Sequence, residues 1–308
     1  MKRVALIVLV AALLVVPWVP QLLYPVFVMK LLCMALFACA YGLLLGFGGM
    51  MSFGHAAFFG SAAYLTGLAA KTWGLPPELA LLVGTAFAAG LGAVFGALAI
   101  HRQGIYLAMI TLALAQMVYF IFLQLPFTGA EDGLQQIPRG TLLGVVDLRS
   151  DFALYHLVLA LTLAGLWLIH RVVHSPFGHI VVAIREHEPR ARSLGYPVER
   201  YKLMLFTLSA ALSGLAGSMK AIVFQVAALT DVHWHLSGDV VLMALLGGLH
   251  TVFGPAIGAA LVVALQYYLD AFGGWVTLVT GLIFMVCVLS FRSGIAGAFE
   301  SFMARRRS

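Results

Sequence analysis

Apolar tracts about as long as a bilayer is thick recur along this chain, and its charged residues lie almost entirely between them. A helix needs about 20 apolar residues to cross the hydrocarbon core, whereas a membrane strand needs only about 9–11. Backbone polar groups in lipid must be satisfied internally, so tracts of this length read as helices of a bundle. Hydropathy places them at 26–47, 54–70, 79–100, 105–125, 152–171, 203–225, 238–250, 252–270 and 275–291. An initial run to Leu23 follows Met1-Lys2-Arg3; Pro17-Trp18-Val19-Pro20 stands where a small-residue cleavage site would fall, so the run reads as a retained first helix. The expectation is an all-α polytopic membrane protein, one domain over 1–308, with about ten crossings. The range is eight to ten, because 238–250 is too short to span unless it starts earlier or is broken. Composition agrees: 62% of residues are hydrophobic and 10% charged, against about 25% charged in soluble domains.

The charges between the tracts set the sidedness. His101-Arg102, the island 171–202, Arg292 and Arg305-Arg306-Arg307 fall on one side, which the positive-inside rule makes cytoplasmic, with both termini. The 126–151 loop carries Glu131, Asp132, Asp147 and Asp151 against Arg139 and Arg149 and falls outside. The net charge of +6 therefore reports topology and gives no sign of a nucleic-acid partner.

Several chemistries lack their residues. Cys33, Cys39 and Cys287 sit in apolar tracts with no CxxC spacing and read as small buried hydrophobes. His170/His174 and His233/His235 have no further ligand at a recognisable spacing, so no metal site is expected. No Walker A loop occurs; if ATP drives this protein, another chain binds it. Lys30, Lys220, Asp239 and Asp270 lie toward predicted outer helix ends, and no Asp/Glu/Lys relay stands at mid-helix, which counts against a stand-alone secondary carrier. No cluster of titratable groups at one face suggests a membrane enzyme. Gly42/Gly46, Gly92/Gly96, Gly254/Gly258, Ser209/Ser213 and Ser213/Gly217 are small-xxx-small pairs, which allow close helix packing and argue against a loose scaffold.

The island HSPFGHIVVAIREHEPRARSLGYPVERYK, 174–202, is more than a topology marker. Pro176 and Pro189 with Gly178 and Gly195 imply two short helices, about 177–187 and 189–194, joined at Glu188-Pro189. Ile180, Ile184, Ala191 and Leu194 form an apolar stripe with His187 on it; Arg185, Glu186, Glu188, Arg190 and Arg192 supply charge. This is the pattern of an element that docks a cytoplasmic partner.

Five blocks carry a family resemblance: GFGGMMSFGHAAFFGSAAY (46–64), GIYLAMITLALAQM (104–117), TGAEDGL (128–134), SPFGHIVVAIREHEPRARSLGY (175–196) and GDVVLMALLGGLHTVFGPAIGA (238–259). In this order the chain resembles the permease subunits of ABC importers for branched-chain amino acids, M-type, over roughly 35–290. It departs from the family pattern at Ala130 and Glu131, at His187 where Asn is usual, and at His250 where Gly is usual. The resemblance implies a bacterial inner-membrane permease without catalytic activity or bound cofactor. It would pair with a second homologous permease, two ATPase chains that use ATP and Mg²⁺, and a solute-binding protein. The island would be the loop that couples to the ATPase, through Ile180, Ile184, Arg185, Glu186, His187, Glu188, Arg190, Ala191 and Leu194. Branched-chain amino acids lead as substrates, with urea, amides or another small solute as the alternative. Ser52, Gly54, His55, Thr111 and Gln116 are the polar or backbone-exposing positions that could line the route, and Glu131, Asp132, Asp147, Asp151 and Asp231 those that could receive the binding protein.

Overall fold

The structure is a computed structural model that describes residues 13–14, 16–18, 24–142, 144–249, 251–269, 279, 281–282 and 285. The expected first crossing, the 275–291 span, His250, Asp270, Cys287, Arg292 and Arg305–Arg307 lie wholly or mostly outside the described residues.

The hydropathy tracts become helices almost where expected: α1 Pro25–Gly42, continued by a π turn over Leu43–Phe47, then α2 His55–Lys71, α3 Pro77–Ala99, α4 Ile105–Gln124 and α5 Asp151–Val173. The island follows as α6 Pro176–Glu186 and α7 Glu188–Ser193, and the chain continues with α8 Val198–Phe224, α9 Trp234–Gly247 and α10 Gly254–Leu269. Among the described residues α1 with its π turn, α3, α4, α5 and α8 are long and apolar enough to cross a membrane. The short tract flagged at 238–250 is a helix that begins earlier, at Trp234, and ends at Gly247, where Gly248 takes φ 111° and turns the chain into α10. With 14 and 16 residues, α9 and α10 are about 21 and 24 Å long, less than the roughly 30 Å of a hydrocarbon core.

Helix α8 is the organising element; α1, α2 and α3 all pack along it, and α9 and α10 pair with each other and lean on α1. Its 27 residues run about 40 Å, from the α6–α7 end to the end that carries the 126–150 segment. The small-residue pairs are where these helices touch. A Cβ on Gly217 would stand 1.9 Å from the Phe59 carbonyl oxygen of α2, one on Gly92 2.2 Å from Cβ of Ala210, and one on Gly258 1.9 Å from the Met243 carbonyl oxygen. Gly42 and Gly46 give room to Pro255 and Leu249, so the α9–α10 turn seats against the π turn of α1. Contact this close is the main source of helix association in lipid, where apolar burial supplies no driving force.

Helix α2 is buried at 15 of its 17 positions. The outer helices instead keep apolar residues exposed: Leu82 and Val94 on α3, Ile105 and Met109 on α4, Trp167 on α5. Helices apolar on every side belong in lipid or against another membrane chain.

At the far end of α8, the 126–150 segment is folded. Strand β1 Leu134–Gln135 pairs antiparallel with β4 Val226–Ala227, and β2 Thr141–Leu142 with β3 Val146–Asp147. The TGAEDGL block makes this geometry: Gly129 (φ 81°) and Gly133 (φ 69°) both take the left-handed region, and a Cβ on Gly133 would meet the Ala227 carbonyl oxygen at 2.5 Å.

Candidate functional site

Two regions hold the residues singled out from the sequence. The first is the α6–α7 segment. Ser175 caps α6, its Oγ accepting from the Gly178 N–H, and Pro176 takes the first helical turn. Gly178 is needed because a Cβ there would stand 2.3 Å from the Val173 carbonyl oxygen. Gly195 (φ 84°) closes α7, with the Tyr196 N–H donating back to the Ala191 carbonyl.

Three details differ from the sequence reading. The break falls at His187, in extended backbone (φ −154°, ψ 81°), whose Nδ1 accepts from the Arg190 N–H at 3.4 Å. His187 is exposed and serves as the hinge and cap of α7, so it does not sit on the apolar stripe. The stripe itself is not offered outward. Ile184 and Ala191 are buried against Val198, with Ile180 and Tyr201 packed beside them, so the segment spends its apolar side on the start of α8. Leu194, placed on the stripe by periodicity, is 70% exposed because α7 ends one residue before it.

The charges show the same inward use. Glu188 accepts from Lys202 Nζ at 2.5 Å, Arg192 Nη2 at 2.9 Å and Gln103 Nε2 at 2.5 Å. One carboxylate thus joins α7 to α8 and to the α3–α4 turn. Burial raises the Glu188 carboxyl, but the hydrogen bonds and charges of Lys202 and Arg192 outweigh it and hold the group below the usual glutamate value. Arg192 also pairs with Glu199 at 2.8 Å. Arg185 reaches the Gly46 carbonyl at the π turn of α1, with its methylenes over Gly49. Glu186 and Arg190 remain exposed. Beside the segment lies a cleft of about 360 Å³ lined by Gly49, Arg102, Gln103, Arg185, His187 and Glu188, among others.

The second region is the start of α2. The stretch Gly48–Gly54 leaves α1 and returns into the bundle, so α2 begins in the interior with N–H groups to satisfy. Three N–H groups here are met by hydroxyls: Phe53 N–H by Thr111 Oγ1 at 3.1 Å, Gly54 N–H by Ser52 Oγ at 3.1 Å, and Ala56 N–H by Ser237 Oγ at 2.9 Å. His55 sits between Ser52 Oγ (3.2 Å from Nδ1) and Ser209 Oγ (2.9 Å from Nε2). Ser209 spends its proton on the Ala40 carbonyl at 2.6 Å, so Nε2 carries the imidazole proton and Nδ1 accepts from Ser52. The neutral ring is fully satisfied, edge-on to Tyr41 and Phe58. The structure therefore brings Ser52, Gly54, His55 and Thr111 together as a buried polar knot. Gln116 is half-buried, about 140° round α4 from Thr111, and stays outside it. Ser209, read from the sequence only as a packing position paired with Ser213, and Ser237, which no motif announces, complete the knot.

Elsewhere, Asp231 is not an exposed acceptor: it is buried, bound to Lys220 Nζ at 2.6 Å, and accepts from the Ala228 N–H. Asp151 pairs with Arg139 at 2.8 Å, while Glu131, Asp132 and Asp147 are exposed. His170 and His174 stack at 4.2 Å and His233 and His235 at 4.9 Å; among the described residues no three His, Cys, Asp or Glu side chains come together as a metal site.

These features define an integral membrane protein, a helical bundle with an amphipathic helix pair fastened to one end. The family described as branched-chain amino acid transport system, permease component, matches residues 25–291, and the chain belongs to that family. It is 30% identical over 217 residues to the high-affinity branched-chain amino acid transport system permease protein LivM of Escherichia coli, covering 63% of this chain and 51% of the relative. The LivM of Salmonella typhimurium is 29% identical over 216 residues, with the same coverage. The autoinducer 2 import system permease protein LsrC of Klebsiella pneumoniae is 29% identical over 178 residues, covering 51% of this chain and 45% of the relative. The chain thus spans about half the length of the curated relatives it matches. No solved structure matches it.

Proposed function

We propose that this chain is the permease subunit of an ATP-driven importer of the bacterial inner membrane, and that it moves branched-chain amino acids delivered by a solute-binding protein. Its partners would be a second homologous permease and two ATPase chains that use ATP and Mg²⁺. The chain itself would hold no cofactor and catalyse nothing.

One observation carries the reading: α6 and α7 are tied to α8 by Glu188–Lys202 and to α1 by Arg185–Gly46, rather than hanging as a loop. A partner that pushes on the exposed side of this pair would move α1 and α8 as a lever, which is what a bistable transporter driven from outside requires. The docking side is then Glu186, His187, Arg190 and Leu194 with the adjoining cleft, while Ile180, Ile184 and Ala191 act by holding the pair in place. The polar knot around His55 has its hydrogen bonds spent within the chain. The route is therefore assigned to the face shared with the second permease, with Ser52, Gly54, His55 and Thr111 holding the re-entrant segment. Branched-chain amino acids are favoured by the family and the LivM relatives, and the LsrC likeness keeps another small solute open.

The test is uptake of labelled leucine, isoleucine, valine and urea into vesicles holding the full complex. Uptake should require ATP and the binding protein and survive collapse of the ion gradient. Uptake that survives ATP depletion but falls with the gradient would make this a secondary carrier.

A further inference from the structure

At the end of the bundle away from α6 and α7, the ends of α1 and α8 border a half-open cavity of about 200 Å³. Lys30, Cys33 and Met34 line it from α1, and Lys220, Phe224 and Val226 from the other side. The volume is below the roughly 300–1,000 Å³ of pockets that take drug-sized ligands, so it suits a solute of a few heavy atoms.

The lining is apolar except for two ammonium groups. Lys220 is committed to Asp231 at 2.6 Å and lies 5.9 Å from the centre of the Phe224 ring. Lys30 is half-buried and forms no hydrogen bond or ion pair among the described residues. Among the described residues, two ammonium groups and one carboxylate leave one positive charge uncompensated beside apolar side chains. A charge so placed favours an anion that can approach with its own apolar part.

We propose that this cavity is a subsite for the carboxylate of a small apolar amino acid. Lys30 is the counter-ion, Lys220 is held back by Asp231 so that the site carries one net positive charge, and Met34, Phe224 and Val226 receive the aliphatic side chain. The assignment rests on the transport reading above and adds to it where the solute is held. An anionic lipid headgroup offers the same charge with a longer tail, and the experiment separates the two.

The full chain in neutral phosphatidylcholine nanodiscs is probed by saturation-transfer NMR with L-leucine, 4-methylpentanoate and 3-methylbutylamine, and leucine uptake by the assembled importer is followed in parallel. Leucine and 4-methylpentanoate should bind and compete, and 3-methylbutylamine, which lacks the carboxylate, should do neither. Lys30→Gln should raise the Kd for leucine at least about tenfold, with Lys30→Arg restoring it to within about threefold, since a hydrogen bond to a charged group is being removed and replaced. The competition series in the unaltered chain stands independently of how either variant folds. Leucine binding unchanged in Lys30→Gln, or the amine binding as well as the acid, overturns the proposal. A Lys30→Gln defect that appears only in phosphatidylglycerol membranes also overturns it and assigns the cavity to lipid. If the wild-type importer takes up no apolar amino acid while 4-methylpentanoate still binds through Lys30, the transport reading falls and the carboxylate subsite stands.

Discussion

Replacing Glu188 by Gln tests whether the α6–α7 pair is a seated lever. The substitution keeps the shape and removes the charge that Lys202 and Arg192 share. Lys202 and Glu188 side chains are 11% and 19% exposed, so their pair lies between the buried case, which costs about 3–5 kcal/mol when one partner goes, and the surface case, worth under about 1 kcal/mol. Arg192 is 57% exposed and adds little. Gln still accepts a hydrogen bond from Lys202, which places the net cost near 2 kcal/mol. If α7 opens locally rather than with the whole bundle, its amides should exchange roughly 30-fold faster. Hydrogen–deuterium exchange read by mass spectrometry on the nanodisc-embedded chain resolves peptides over 188–202 from those of α2 and of α8 beyond Lys202. Glu186→Gln is the control, because its carboxylate is 68% exposed and only 3.9 Å from Arg185 at best. Exchange over 188–202 rising less than about threefold would refute the claim that Glu188 seats the segment.

Reversing the exposed charges, Glu186→Arg with Arg190→Glu, should cut ATPase recovery in co-purification and leave exchange over 188–202 at its wild-type rate; unchanged recovery and unchanged transport-linked hydrolysis would remove this face as the docking side. Glu188 also sets a pH dependence. Its folded value lies below the unfolded one, so its contribution is fully present above the unfolded glutamate value and is lost as pH falls through the lowered folded value. Acidification through that window should lower the protection factors over 188–202 in the wild type, and Glu188→Gln should weaken the dependence to what the Arg192–Glu199 pair contributes. Gly217→Ala drives a methyl into the Phe59 carbonyl oxygen and should destabilise the α2–α8 contact by about 1–3 kcal/mol, seen as a lower melting temperature in detergent. Gly90→Ala, with open space at its Cβ, should leave melting unchanged or raise it slightly.

Much of the bundle was legible because hydropathy acts on length alone. Helix limits at 25, 77, 105 and 151 fall within two residues of the tracts read from composition. The glycine pairs were legible for a related reason: in lipid only close backbone approach holds helices together, so Gly92/Gly96 or Gly254/Gly258 can serve few other purposes. The 174–202 segment was half legible. Its two helices, its prolines and Gly195 were readable from local backbone rules, but the direction of its apolar side was not. Periodicity says that Ile180 and Ile184 share a face, and Val198 decides which way the face points. His187 was misplaced for the same reason: its side chain is aligned with the stripe only if the helix runs through it, and the break at that residue turns it into a cap.

Charge and hydroxyl partners were the least legible. Asp231 looks like a solvated loop acid until Lys220, eleven positions away and across a turn, proves to be bonded to it. Ser237 carries no motif and Ser209 shows only a packing spacing, and their partners lie 181 and 154 positions distant along the chain. Sequence alone determined that the chain is a helical membrane bundle with close glycine contacts and an amphipathic pair at one end, because length, period and small-residue spacing are local properties. Only the tertiary structure decided that the pair faces inward, that Glu188 and Arg185 fasten it, and that His55 closes a network of buried hydroxyls. A hydrogen bond depends on distances of about 3 Å between residues far apart in the chain, and no local pattern encodes them.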